Sequence, residues 1–175
     1  SGADTRTYDG KASNVTASVT NKIGSDDVTV TVTGGTAVNA GTYTAAATGL
    51  AGDKAKNYQL PETGLSQEYT INRAALTIAS VAVEGKTYDG TTDATAAVSF
   101  AGLANGESLT AGTDYTVSAA FADANAGASK SVTVSVELLS TAATANYTLT
   151  NGQIAATGTI AKAAAKTVPG QTVYV

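Results

Sequence analysis

The sequence predicts an all-β protein made of two tandem, small β-sandwich-like repeat domains, Ig-like or β-grasp-like, arranged end to end. Three observations carry this: two-residue alternation of apolar and polar side chains, turn signals between the alternating runs, and a set of short motifs that returns in the same order.

Val28-Thr29-Val30-Thr31-Val32-Thr33 and Ser131-Val132-Thr133-Val134-Ser135-Val136 put every second side chain on one face. That is the period of a strand with one buried and one solvated side. Less regular runs at 42–47, 67–71, 76–83, 94–100, 115–121, 147–150, 154–160 and 172–175 read as further strands. Gly34-Gly35, Ala51-Gly52-Asp53, Asn105-Gly106, Ala111-Gly112 and Asn151-Gly152 punctuate them as turns. The alanine-rich stretches 141–145 and 161–166 are too short for a stable helix and are expected as loop, strand edge or one helical turn.

The repetition sets the domain organisation. Thr7-Tyr8-Asp9-Gly10 returns 80 residues later as Thr87-Tyr88-Asp89-Gly90, and Asn39-Ala40-Gly41 returns after 86 as Asn125-Ala126-Gly127. Asn57-Tyr58 and Ile71 return after 89, as Asn146-Tyr147 and Ile160. An offset that grows in steps places the extra residues of the second copy between fixed landmarks, in loops or longer hairpins. The expected division is 1–76 for the first β-repeat, 77–165 for the second, and 166–175 for a closing strand or the start of a third, with the junction at 74–80. A β-grasp-like sheet under a covering helix is the alternative for the first repeat.

Composition narrows function. The chain has no His and no Cys, so the residues that most often serve as neutral-pH bases, thiolate nucleophiles and transition-metal ligands are missing. No catalytic residue, cofactor or metal is therefore expected, and no disulfide framework supports the fold. Fourteen acidic residues against ten basic ones, with neither sign in a long run, make nucleic acid and anionic membrane poor partners. No apolar run reaches the ~18 residues that suggest a membrane-spanning helix, and an export signal, if there is one, is expected outside this sequence.

At the recurring landmarks a family resemblance emerges. Thr87-Tyr88-Asp89-Gly90-Thr91-Thr92, Asp123-Ala124-Asn125-Ala126-Gly127, Ala145-Asn146-Tyr147-Thr148-Leu149-Thr150 and Thr159-Ile160-Ala161-Lys162-Ala163 resemble the YDG repeat of bacterial haemagglutinin-like, filamentous adhesins. The first repeat, with Tyr8-Asp9-Gly10, Asn39-Ala40-Gly41-Thr42-Tyr43-Thr44 and Tyr69-Thr70-Ile71, is similar to the related MBG repeat. The resemblance implies non-catalytic stalk or extender modules of an extracellular, cell-surface protein that project a binding region and support adhesion or biofilm formation. Neighbouring repeats of the same chain are the implied partners, and no family-wide catalytic residues come with it.

The candidate residues each have a plain structural reading. In Tyr8-Asp9-Gly10 and Tyr88-Asp89-Gly90, Asp accepts backbone hydrogen bonds in a turn, Gly takes a positive φ and Tyr packs its ring; a sugar contact is the functional alternative. Asn39, Gly41, Asn125 and Gly127 are expected as structural motif residues of the same kind. Asp123-x-Asn125-x-Gly127 opens like a calcium loop, but Val134 stands where the bidentate Glu belongs. Lys11, Lys86 and Lys130 lie near strands, where an isopeptide bond to a neighbouring acid or amide is conceivable. Glu62, Glu68, Glu84, Glu107 and Glu137 read as scattered surface charge. The rival function is a carbohydrate-binding module for a polysaccharide or host-cell glycan, with Tyr43, Tyr58, Tyr115 and Tyr174 as contact residues.

Overall fold

The computed structural model describes residues 4–166 and Gly170; the expected strand at 172–175 and Tyr174 lie outside them. Among the described residues twelve strands follow in order: β1 Asp4–Thr7, β2 Thr29–Thr33, β3 Gly41–Ala51, β4 Ser66–Asn72, β5 Ala74–Val83, β6 Lys86–Thr87, β7 Asp93–Ala94, β8 Ala96–Ala101, β9 Tyr115–Phe121, β10 Gly127–Leu138, β11 Tyr147–Leu149 and β12 Gln153–Ala161. Two single 3-10 turns, η1 Ala55–Asn57 and η2 Thr144–Asn146, complete the regular structure of the described residues. The fold is all-β, and the described residues hold no α-helix. A β-grasp-like first repeat therefore lacks its covering helix. Part of the alanine-rich 141–145 stretch winds into η2 and stops, too short to nucleate anything longer.

The chain forms two compact units, neither of which is one continuous stretch. Unit 1 comprises Ser1–Leu76, Gly102–Asp114 and Leu138–Thr150; unit 2 comprises Thr77–Ala101, Tyr115–Glu137 and Asn151–Val175. The first segment of unit 1 ends inside the expected 74–80 junction, within β5. Two segments that the sequence assigns to the second repeat nonetheless group with unit 1.

Unit 1 is built on a sheet of order β1-β4-β3-β2. β1 runs parallel to β4, with Asp4 opposite Tyr69 and Thr7 opposite Asn72. β3 is antiparallel to both β4 and β2, with Gly41 opposite Ile71. Tyr8, Val28, Ala45, Tyr69, Ile71, Ala74, Leu76 and Tyr147 are its buried apolar residues. β11 adds in parallel to the first residues of β5, from Ala74 opposite Tyr147 to Leu76 opposite Leu149. The buried Asp114 ties the two later segments together. It accepts from the Thr110 N–H at 2.9 Å and the Thr141 hydroxyl at 2.8 Å, while its carbonyl accepts from Leu139 N–H at 2.8 Å.

Unit 2 repeats this plan as β6-β12-β10-β9-β7. β6 is parallel to β12, with Thr87 opposite Ala161 where unit 1 has Thr7 opposite Asn72. Gly127 of β10 stands opposite Ile160 of β12, as Gly41 stands opposite Ile71. Its core is Tyr115, Phe121, Val132, Val134, Val136 and Ile160, so the alternating valines of the 131–136 run all face inward. The later residues of β5 pair antiparallel with β8, from Thr77 opposite Ala101 to Val83 opposite Ala96.

One position shows how the two cores exchange bulk. Tyr69 in unit 1 corresponds to Gly158 in unit 2, 89 residues on. A Cβ at Gly158 would come within 2.9 Å of the Phe121 ring and 2.8 Å of Val83. The aromatic volume that β4 supplies from its own strand is thus delivered to β12 by its neighbours, and Gly158 leaves room for it.

Candidate functional site

The Tyr-Asp-Gly turns are built alike. Each follows a short parallel strand and is anchored by the Tyr N–H: Tyr8 donates to the Asn72 carbonyl and Tyr88 to the Ala161 carbonyl, both at 2.8 Å. The Asp carboxylate then accepts from the N–H two residues on, Lys11 at 3.0 Å and Thr91 at 2.9 Å. That is the Asx turn expected of this residue type, with Gly10 at φ 73° and Gly90 at φ 81° supplying the left-handed step. A cation three residues before the Asp closes each turn. Arg6 reaches Asp9 at 2.9 Å and the Lys11 carbonyl at 2.5 Å. Lys86 reaches Asp89 at 2.9 Å and the Thr91 carbonyl at 3.1 Å.

These partners hold the carboxyls low. Lys86, then the Thr91 N–H, pulls Asp89 down to about 2, while the Lys11 N–H, then Arg6, lowers Asp9. A carboxyl lowered on folding stabilises the native turn above the unfolded carboxyl pKa, and the contribution is lost as pH falls through the native value. Lys86→Ala is expected to return Asp89 toward 3.8, read by carboxyl 13C titration, with the fold unchanged. Asp89 titrating near 2 in that variant would refute the clip.

Asp123-x-Asn125-x-Gly127 uses the same chemistry. Asp123 accepts from Asn125 N–H at 2.8 Å, and Lys130 Nζ lies 2.6 Å from its carboxylate. Lys130, then the Asn125 N–H, lowers the Asp123 carboxyl. Of the three lysines raised as isopeptide candidates, Lys86 and Lys130 form ion pairs with half-exposed carboxylates.

The tyrosines of the two turns part company. Tyr8 is 6% exposed and Tyr88 is 46% exposed, so the ring-packing expectation describes only the first. Tyr8 meets the Tyr147 ring edge to face, with centroids 5.5 Å apart. Both hydroxyls donate to one carboxylate, Glu107: Tyr8 to Oε1, and Tyr147 to Oε2 at 2.6 Å. Glu107, expected as scattered surface charge, is the half-buried centre of this clasp. Beside it the buried Asn146 reads the Asn39-Ala40 backbone and side chain. Ala40 N–H donates to its Oδ1 at 2.8 Å, and its Nδ2 donates to Asn39 Oδ1 at 3.1 Å.

The clasp is itself repeated. Tyr147 follows η2, donates to Glu107 and accepts from Ala104 N–H at 2.8 Å. Tyr58 follows η1, donates to Asp26 and accepts from Ile23 N–H, both at 2.9 Å. In each case the acid's own N–H donates back to the carbonyl three residues earlier, Asp26 to Ile23 and Glu107 to Ala104. Matching spacing in Ile23-Gly24-Ser25-Asp26 and Ala104-Asn105-Gly106-Glu107, each followed later by Asn-Tyr, was the sequence signal for it.

The hydrogen bond to Glu107, then burial, pushes Tyr8 up to about 12, and burial, then Glu107, raises Tyr147. A phenol raised on folding contributes stability that is complete below the unfolded pKa of about 10 and disappears as pH rises through about 12. Unit 1 should therefore lose stability between pH 10 and 12, and Tyr8→Phe should flatten that loss. An unchanged pH slope in Tyr8→Phe, measured by urea midpoints, would refute the assignment.

The remaining tyrosines proposed as contacts serve their own units. Tyr43 stacks on Tyr69 at 5.5 Å and donates to the Asn39 carbonyl at 2.9 Å; Tyr115 is buried against Phe100 at 4.8 Å. Tyr69 donates to the Gly34 carbonyl at 2.8 Å and accepts from Ala37 N–H at 3.1 Å. No helix among the described residues is long and apolar enough to cross a membrane, and they contain no group of three or more His, Cys, Asp or Glu placed to hold a metal.

Residues 72–157 match the model of the YDG domain, so a YDG domain is detected over that segment, which contains Tyr88-Asp89-Gly90, Glu107 and Tyr147. No curated protein and no solved structure matches the chain.

Proposed function

We propose, from the YDG domain at residues 72–157, that the chain supplies non-catalytic stalk or extender repeats of a bacterial cell-surface adhesin, outside the cell. The repeats project a binding region and support adhesion or biofilm formation, with neighbouring repeats as their partners.

The observation that carries this reading is the placement of the end strands. In unit 1 the first strand, β1, lies parallel and hydrogen-bonded to β4, the last strand of its sheet; in unit 2 β6 and β12 do the same. Tension applied at opposite ends of such a pair shears all its hydrogen bonds together, whereas a hairpin pulled from its open end breaks them one at a time. The side chains are spent on closing turns and filling cores. Of the four rings expected of a glycan platform, the three that lie among the described residues, Tyr43, Tyr58 and Tyr115, are engaged inside their own units, which favours the mechanical role over carbohydrate binding.

Single-molecule stretching tests it. The chain pulled through its ends is expected to give discrete high-force peaks, and pulled through residues 29 and 51, which are paired at the open end of the β2–β3 hairpin, to peel at much lower force. Smooth extension through the ends without a resolvable peak would remove the load-bearing role. Saturable binding on a glycan array would favour the carbohydrate-binding reading.

A further inference from the structure

Within unit 1 the clasp acts as a plug in a socket. The socket is Tyr8 with Asn39-Ala40, at the starts of the Tyr-Asp-Gly turn and of β3. The plug is Glu107 with Asn146-Tyr147, which arrive from later in the chain. Unit 2 carries the same socket. Tyr88 is anchored to β12 as Tyr8 is to β4, and Asn125-Ala126 precedes β10 in the register that Asn39-Ala40 holds before β3. Here the socket is open. Tyr88 is 46% exposed, Asn125 and Ala126 are exposed, and the Ala126 N–H, counterpart of the one Ala40 gives to Asn146, has no acceptor among the described residues.

We infer that this face of unit 2 is a docking surface for one occupant, a further repeat of the same module, which inserts its own Glu and Asn-Tyr between Tyr88 and Ala126. The occupant is fixed by what fills the matching socket in this chain: two tyrosine hydroxyls sharing a carboxylate, and an amide reading the Asn-Ala backbone. The chain also displays a spare plug. Asp26 and Tyr58 have the clasp's internal hydrogen bonds, Asn57 beside them is exposed, and Asp26 is one methylene shorter than Glu107. Plug and socket on different surfaces make a heterologous contact that extends a row head to tail. The inference deepens the extender reading and rests on it for the presence of further repeats.

The test appends a second copy of residues 77–165 after residue 165 of the full chain and follows nitration of Tyr88 by mass spectrometry. The buried Tyr8 serves as internal reference. At the ~1 mM effective concentration of a linked module, an affinity of ~0.1 mM protects Tyr88 about tenfold. Changing the appended counterpart of Tyr147 to Ala should restore reactivity. Unchanged Tyr88 reactivity with the appended repeat folded, judged by circular dichroism, overturns the proposal. If that repeat does not fold, the unextended chain decides: sedimentation equilibrium should show association weakened by Tyr88→Ala or Asn57→Ala, and a monomer throughout the millimolar range overturns it. A docked row with low unfolding force would refute the mechanical role and leave this contact intact.

Discussion

Truncating Tyr147 to alanine is expected to lower the stability of unit 1 by about 3–5 kcal/mol, the range for deleting a large buried aromatic ring. Tyr147 is 2% exposed and is the largest of the fully buried side chains. Its loss opens a void against the Tyr8 ring, frees the Ala104 N–H from its acceptor, and leaves Glu107 with one hydroxyl donor instead of two. Tyr147→Phe separates these effects. It keeps the ring and removes the hydroxyl, so it should cost about 1–3 kcal/mol, the penalty for an incompletely paired polar group. Tyr58→Ala is the matched control, since Tyr58 makes the same hydrogen bonds but is only half-buried. Urea denaturation of the three variants should rank them Tyr147→Ala, then Tyr58→Ala and Tyr147→Phe well behind. A loss below about 1 kcal/mol for Tyr147→Ala would mean the clasp does not hold the unit, because a ring that packs a core cannot be removed so cheaply.

The second large effect is expected at Gly34. Its φ of 74° is left-handed, and a Cβ there would sit 2.3 Å from the Thr44 carbonyl oxygen, a backbone atom of β3 that cannot swing aside. Gly34 also presents the carbonyl that accepts the Tyr69 hydroxyl. Gly34→Val combines a left-handed penalty of about 1–2 kcal/mol with about 1–3 kcal/mol for displacing packed backbone. Gly24 provides the comparison. Its φ is 59° but nothing lies within 4 Å of an added Cβ, so Gly24→Ala should cost only about 1 kcal/mol. Equal midpoint shifts for Gly34→Val and Gly24→Ala would show that the steric contact contributes nothing.

Much of the all-β fold was legible because burial in strands has a period of two. The run at 115–121 coincides with β9, and those at 67–71 and 154–160 fall one residue short at each end of β4 and β12. β1 and β6 escaped the same reasoning. Asp4-Thr5-Arg6-Thr7 and Lys86-Thr87 have no apolar face, and they become strands through backbone pairing with a partner more than 60 residues away. The turn residues were legible in Asp9, Gly10, Asp89 and Gly90, since turn chemistry is local. The clasp was not. Glu107 resembles any surface carboxylate until Tyr8 and Tyr147, 99 and 40 residues distant, are brought to it. The grouping of Gly102–Asp114 with Leu138–Thr150 is likewise set by Asp114 and Thr141, a contact that periodicity cannot reveal.

The order in which unit 1 collects its segments governs how it is made. Its sheet is encoded by residue 72, but its last contributing segment ends at Thr150, after most of unit 2 has been specified. A ribosome delivering the chain from the N-terminus therefore cannot release a finished first unit; Tyr8 waits, uncapped, until Tyr147 emerges. Such distant closures make folding slow, and the first unit should stay incomplete on the nascent chain longer than a self-contained domain of this size would.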